Sequence, residues 1–158
     1  MSELSSRFLV RFIKEHVFKL KMIWVKLIDF GLVVFIWTIQ LVVYPSFRYY
    51  NPDSLLKWHG VYTSAVSVIV LPLMVSQIML HGWCLLREYS LVNLLKGLLV
   101  VSTWLVTFAI FVPLHNKITL NQELPETLSR LIAYNWIRTG LWSMIFILEL
   151  LAFRKYIN

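Results

Sequence analysis

Long apolar runs alternate with short polar stretches along the chain, and the lengths of those runs set the fold expectation. Four runs, at 27–47, 55–80, 92–112 and 131–153, fill most of the sequence. Each reaches the roughly 20 residues that carry a helix across about 30 Å of hydrocarbon. A spanning strand would show alternation over about ten residues instead, and these runs do not alternate. The chain is therefore expected to be all-α, one polytopic membrane domain over 1–158 folded as a four-helix transmembrane bundle.

Ahead of the runs the pattern changes. Leu9, Phe12, Ile13, Val17 and Leu20 share one face of a helix over 5–22, with Arg7, Arg11, Lys14 and Glu15 off that face. This predicts a separate amphipathic interfacial helix lying on an anionic lipid surface, with a partner-docking helix as the alternative. Between the runs, Asn51 and Pro52 supply an N-cap and a first-turn proline for the second span. Residues 81–91 and 114–125 are expected to be the other two connections, with Pro125 and Glu126 opening the fourth helix. Pro72 removes a backbone donor within the second run and is expected to kink it. The sequence offers no internal repeat, low-complexity tract or second domain.

Composition agrees with a bilayer setting. Hydrophobic residues make up 59% and charged ones 15%, with a mean hydropathy of +0.72, where soluble domains are about half apolar and a quarter charged. The net charge of +7 does not call for nucleic acid, because the basic residues gather at membrane flanks. Ten Lys and Arg precede the first run, flank the second connection or follow the last run, against four in the other connections. That asymmetry predicts both termini on the cytoplasmic side of a cell (inner) membrane. The first run is too long for a signal peptide and lacks a small-residue exit, so it is read as retained. The single cysteine, Cys84, cannot form an internal disulfide and reads as an apolar filler.

Polar residues inside the runs recur at helical spacing. Asp29, Val33, Trp37, Gln40 and Tyr44 form one stripe; His59, Tyr62, Val66, Ile69, Leu73 and Gln77 a second; Asn135, Arg138, Trp142, Ile145 and Glu149 a third. In the third run Trp104, Phe108, Phe111 and His115 align. Polar atoms gain little from lipid, so the stripes should face the bundle interior. Alternating span direction places Gln40, Tyr44, His59, Tyr62, His115, Asn116, Asn135 and Arg138 in the outer half. Asp29, Gln77, His81 and Glu149 gather at the inner end. An arginine inside a span costs roughly 2.5–3.5 kcal/mol on insertion scales and so faces a partner or a watery cavity. The outer layer, with two imidazoles beside that cation, is the candidate site. Its members have plainer readings too: helix capping for His115 and Asn116, an aromatic belt for His59 and the tyrosines, packing for the tryptophans.

Metal centres are constrained by what is present. The chain has no Glu-x-x-His spacing for a di-iron bundle, and two histidines without an outer-half carboxylate are too few for a three-ligand zinc site. His59 and His115 could ligate one haem b axially if they share a depth. No phosphate loop, nucleophile elbow or zinc-protease motif occurs.

The segment VPLHNKITL…LIAYNWIRTGLWS resembles the anthrone-oxygenase-like family of small four-span membrane proteins. The likeness rests on Pro113 and Asn116 after the third run and on Asn135, Arg138 and Thr139 opening the fourth. It implies cofactor-free oxidation of a planar, phenolic or polycyclic hydrophobic substrate. In that reading His59 or His115 removes a proton, and Arg138 with Asn135 stabilises the enolate. Gln40, Tyr44, Tyr62, Trp104, Phe108, Asn116 and Trp142 then surround the substrate. One alternative is a haem- or quinone-binding redox protein, similar in architecture to small four-span protoporphyrinogen oxidases, although Asp29 stands where their early-span histidine would be. The other is a non-enzymatic scaffold or subunit. The expected partners are the bilayer and a small hydrophobic ligand, and a homo-oligomer is compatible with all three readings.

Overall fold

A computed structural model describes the backbone of residues 3–157 and the side chains of residues 12, 13, 20 and 22–152. Four helical stretches are long and apolar enough to cross a bilayer: Met22–Tyr49, Pro52–Arg87, Leu91–Thr119 and Leu124–Ala152. The protein is a multi-pass, all-α membrane bundle. Its interior holds Leu32, Ile36, Ile39, Val100, Phe111, Leu131, Trp142 and Ile145. Leu27, Phe30, Val34, Leu41, Val68, Leu105 and Ile147 are exposed on the outside, where acyl chains replace water as their solvent.

The helices outrun the hydrophobic runs that announce them. The second ends at Arg87 and the next begins at Leu91 with Ser90 as N-cap, whose hydroxyl accepts from the Asn93 N–H at 3.1 Å. The expected connection at 81–91 is thus only 88–90, and His81 and Cys84 are buried helical residues. The third span continues to Thr119 and the fourth starts at Leu124, so the expected loop at 114–125 shrinks to 120–123. Asn121 and Glu123 turn that corner at φ 54° and 47°, left-handed conformations that Asn tolerates better than most residues. The Asn51 cap forms as expected, accepting from the Ser54 N–H at 2.9 Å.

The amphipathic segment is not a separate element. Glu3–Thr38 is one uninterrupted helix that runs into the first span. Of its expected apolar face, Phe12, Ile13 and Leu20 are described and exposed, while Leu9 and Val17 lie outside the described side chains.

Two of the four spans change pitch. In the first, Ile39–Val43 is a π turn, and in the third, Thr107–Phe111 is another. The Tyr44 N–H donates to Ile39 O and the Val112 N–H to Thr107 O, each five residues back. The next residue in each case is a proline, Pro45 or Pro113. A proline ring clashes with the carbonyl four residues before it and offers no N–H, so a wider turn immediately upstream relieves both problems. Pro72, by contrast, sits within a continuous α-helix; the helix is not interrupted there. The two halves of the chain therefore share an order of elements: a helix with a π turn and a proline, then a long helix opening at Pro52 or beside Pro125. No repeat of residues announces this.

Two of the expected stripes are corrected. Steps of four residues advance about 40° beyond a full α-turn, so Trp37 drifts off the face that holds Asp29 and is exposed, with its indole N–H donating to Ser143 at 3.1 Å. The buried line runs instead through Asp29, Leu32 and Ile36, then Ile39 and Gln40 in the wider turn, and Tyr44 and Phe47 beyond it. Ile69 is likewise exposed rather than interior.

Candidate functional site

The polar residues of the interior fall into two layers. The layer near the 50–51 and 120–123 connections is called distal here, and the other, on the side of both chain ends, terminal. In the distal layer the fourth helix presents Asn135, Arg138 and Thr139 on one face, because i, i+3 and i+4 positions are neighbours. Arg138 donates from Nε and Nη2 to Asn135 Oδ1 at 3.0 and 2.6 Å, and from Nη2 to the Tyr44 hydroxyl at 3.0 Å. Asn135 Nδ2 donates to Gln40 Oε1 at 2.9 Å, and Gln40 Nε2 to the Ile132 carbonyl at 3.3 Å. The guanidinium carbon lies 3.5 Å above the Phe111 ring and 5.9 Å from that of Trp142.

From Tyr44 the network continues into the histidines. The Tyr44 hydroxyl lies 3.1 Å from His115 Nε2, and His115 Nδ1 lies 2.9 Å from His59 Nε2. Both nitrogens of His115 are thus engaged. Because a guanidinium only donates, the Tyr44 oxygen must accept from Arg138, which leaves its hydroxyl proton for His115 or for the space beside it.

That space is a cavity of about 360 Å³, within the 300–1,000 Å³ of typical small-molecule sites. It lies between the second and third spans, with the first and fourth behind. Arg138, Tyr44, Tyr62, His115 and Asn116 form its polar wall, and Trp104, Phe108, Phe111, Val66, Val70 and Met74 are among its apolar wall. The second helix explains the void. None of its buried residues falls between Tyr62 and Met74, and Thr63, Val66, Ser67, Val70 and Leu71 from that stretch line the cavity. The cavity wall also carries exposed residues, Leu71, Phe108 and Val112, so it opens sideways toward acyl chains. Trp104 holds a buried indole N–H with no partner among the described residues.

No family model, curated protein or solved structure matches the chain.

Of the residues expected around a substrate, Tyr44, Tyr62, Trp104, Phe108, Asn116, His115 and Arg138 reach the cavity wall. Gln40, His59, Asn135 and Trp142 do not. They are buried one shell back, where Gln40 and Asn135 orient Arg138, His59 backs His115, and Trp142 donates to Gln77 Oε1 at 3.1 Å. The assignment of Gln40 and Trp142 to substrate contact is corrected accordingly, since hydrogen bonds tie their polar atoms to neighbouring helices. Axial ligation of one haem by His59 and His115 does not fit this arrangement. Two axial nitrogens about 2 Å from a metal, on opposite faces of a macrocycle, stand about 4 Å apart, whereas these bond directly at 2.9 Å with ring centroids at 5.1 Å. Among the described residues no cluster of three His, Cys, Asp or Glu could hold a metal ion.

The terminal layer is more charged than the sequence pattern indicated. Asp29 accepts from Gln77 Nε2 at 2.7 Å and pairs with His81 Nε2 at 3.1 Å. Lys96, one of the basic residues counted above as flanking the second connection, is 2% exposed and pairs with the fully buried Glu149 at 2.6 Å. The signal for that pair was present: Lys96 lies inside an apolar helix, where a cation needs a partner.

Proposed function

We propose that the cavity binds a planar, lipid-soluble substrate bearing an acidic or enolisable oxygen and oxidises it with dioxygen. The observation that carries this is Arg138, a 9% exposed cation on the wall of an apolar cavity. Among the described residues it bonds only neutral acceptors, Asn135 and Tyr44. Such a charge is best matched by negative charge that develops on a ligand. The resemblance of the 113–142 segment to anthrone-oxygenase-like proteins favours the same chemistry.

The step is an oxidation of a ring methylene conjugated to a ketone, as in the keto form of a polycyclic phenol. The ketone oxygen takes a hydrogen bond from Arg138. Removal of a methylene proton leaves an enolate whose charge faces the guanidinium. Both His115 nitrogens are occupied, so the proton reaches His115 through Tyr44, whose oxygen receives it as the phenolic proton passes to Nε2. The enolate carbon gives two electrons to dioxygen and forms a C–O bond. The resulting peroxide takes the proton back, and loss of water leaves a second carbonyl. One methylene becomes a carbonyl, and one dioxygen becomes that carbonyl oxygen and one water.

The distal layer then faces the outer side of the membrane. With Lys96 removed from the loop tally, nine basic residues flank the terminal end against four at the distal end.

The test uses protein in lipid nanodiscs with anthrone as probe. Oxygen uptake and quinone formation are expected in equal amounts, well above the rate in empty discs. Removing the cation in Arg138→Ala should lower turnover about 100- to 1,000-fold, the usual effect of losing an oxyanion donor. Tyr44→Phe, which cuts the path to His115, should lower it about 100-fold or more. Turnover no faster than in empty discs, or unchanged in a folded Arg138→Ala protein, would falsify the proposal.

A further inference from the structure

The charge state and access route of the ligand follow from the same cavity, and this inference rests on reading it as a ligand site. We infer that the site takes an amphiphile in its anionic form, a carboxylate or phenolate on a hydrophobic body, delivered from the bilayer between the second and third spans.

Three observations converge on an anion. Arg138 is buried, and among the described residues none gives it a carboxylate. Its Nε and Nη2 are committed to Asn135 and Tyr44, while Nη1 has no hydrogen-bond partner among the described residues. The guanidinium carbon sits 3.5 Å from the centre of the Phe111 ring, and with the bonds to Asn135 and Tyr44 this positions the cation before any ligand arrives. An enclosed cation with a spare amino group and no counter-charge favours an ionised oxygen over a neutral one; a ketone such as anthrone is held weakly until loss of its proton makes it the enolate.

The route follows from exposure. The connection nearest the polar wall is closed by packed residues: Tyr44, Phe47, Leu55 and His59 are all buried. The wall toward lipid is apolar and includes the exposed Leu71, Phe108 and Val112. These residues lie well inside their spans, Leu71 about 30 Å along the second helix from its start at Pro52 by the rise per residue. A hydrophobic body or tail can therefore remain in the bilayer while its head reaches Arg138. Thr63 and Ser67 on this wall spend their hydroxyl protons on the His59 and Thr63 carbonyls, so neither hydroxyl competes with Arg138 for the head group.

The experiment measures binding alone. Nanodisc-embedded protein is titrated with anthracene-9-carboxylate, with its uncharged methyl ester, and with hexadecanoate. Each probe is compared between wild type and variants, so that its partition into lipid cancels. The carboxylate is expected to bind wild type, and Arg138→Gln should weaken it about 10- to 100-fold, the range for one charge-assisted hydrogen-bond site. The ester should bind weakly and equally to both. Val70→Trp, which fills the cavity without touching the Arg138 hydrogen bonds, should block the carboxylate even if Arg138→Gln fails to fold. Val112→Trp, at the opening, should slow association. The relative strength of hexadecanoate identifies the source, flat ring or straight chain. Equal affinity for acid and ester, or carboxylate binding indifferent to both Arg138→Gln and Val70→Trp, overturns the inference. Charge-selective binding without oxygen uptake would retain it and remove the oxidation; oxygen uptake without charge selection would do the reverse.

Discussion

Asn135 decides what Arg138 has left to offer. Its single carbonyl oxygen takes two of the arginine's donors while its amide reaches back to Gln40, so one neutral side chain aims the cation without neutralising it. Replacing it with the isosteric acid separates those roles. In Asn135→Asp a carboxylate would sit where the amide oxygen now lies, 2.6 Å from Nη2, and give Arg138 a permanent counter-charge. The bundle is expected to stay folded, with the Gln40 amide turned so that Nε2 donates to the new carboxylate in place of the Ile132 carbonyl, while anthracene-9-carboxylate affinity falls about 10-fold or more, one unit of charge-assisted bonding being worth at least that. Asn135→Ala should instead lower stability by about 3 kcal/mol, since buried charged donors lose their acceptor. A scan of thermal stability beside the titration distinguishes the two. Undiminished anion binding in Asn135→Asp would mean that the ligand meets something other than Arg138.

The spans themselves were legible because hydrocarbon thickness imposes a run length that few soluble patterns reach, and Asn135, Arg138 and Glu149 were placed inward by a period that the unbroken fourth helix obeys. What escaped the pattern were positions that a fixed step of four misplaces and positions inside a change of pitch. Trp37 followed a step of four that an α-helix does not close on itself, and Phe111, the platform under Arg138, was visible only as one more aromatic in a stripe. The cavity could not be read at all, because a gap between helices depends on which neighbours stand apart and not on any one residue. Helix ends were misjudged for a simpler reason: caps and interfacial turns extend a helix beyond its apolar core. The prolines held the missing signal. Pro113 lacks the N–H that would let the chain return to α pitch at Ala109, so Pro113→Ala should allow the π turn to close. Residues downstream would then rotate by about one position, or roughly 100°, carrying His115 away from Tyr44. The expected protein is more stable by up to about 3 kcal/mol, the helix-interior difference between Pro and Ala, and yet deficient in ligand binding. Melting temperature and titration together check this, and a variant that gains stability with full binding would show that the wide turn does not shape the site.

Taken across the bundle, the two polar layers join different pairs of helices. At the terminal end Asp29 ties the first span to the second, and Lys96 with Glu149 ties the third to the fourth, so each charged clasp lies within one half of the chain, with the Trp142 bond to Gln77 as the crossing contact there. At the distal end the bonds cross between halves: Gln40 to Asn135, Tyr44 to Arg138 and His115, and His59 to His115. The halves are thus closed at one end and stitched to each other where the cavity lies, an arrangement that sets helix register without filling the site. If the terminal clasps serve register alone, breaking one should cost stability and leave the distal chemistry intact. Lys96→Met removes the hydrogen bond to a buried carboxylate that already has one oxygen, Oε1, without a hydrogen-bond partner among the described residues. Breaking a buried pair costs about 3–5 kcal/mol in soluble proteins, whereas replacing both partners with apolar residues is often neutral or stabilising. Within a bilayer the unfolded helices also find partners, so the single change should cost less, about 1–2 kcal/mol. Lys96→Met combined with Glu149→Met should recover most of that loss. Lys96 is separated from Phe111 by about 22 Å of helix rise, beyond the range at which distant substitutions couple, so the double variant should hold anthracene-9-carboxylate as wild type does. A double variant that is folded but cannot bind the anion would make the terminal charges part of the functional machinery, joined to the cavity through Gln77 and Trp142.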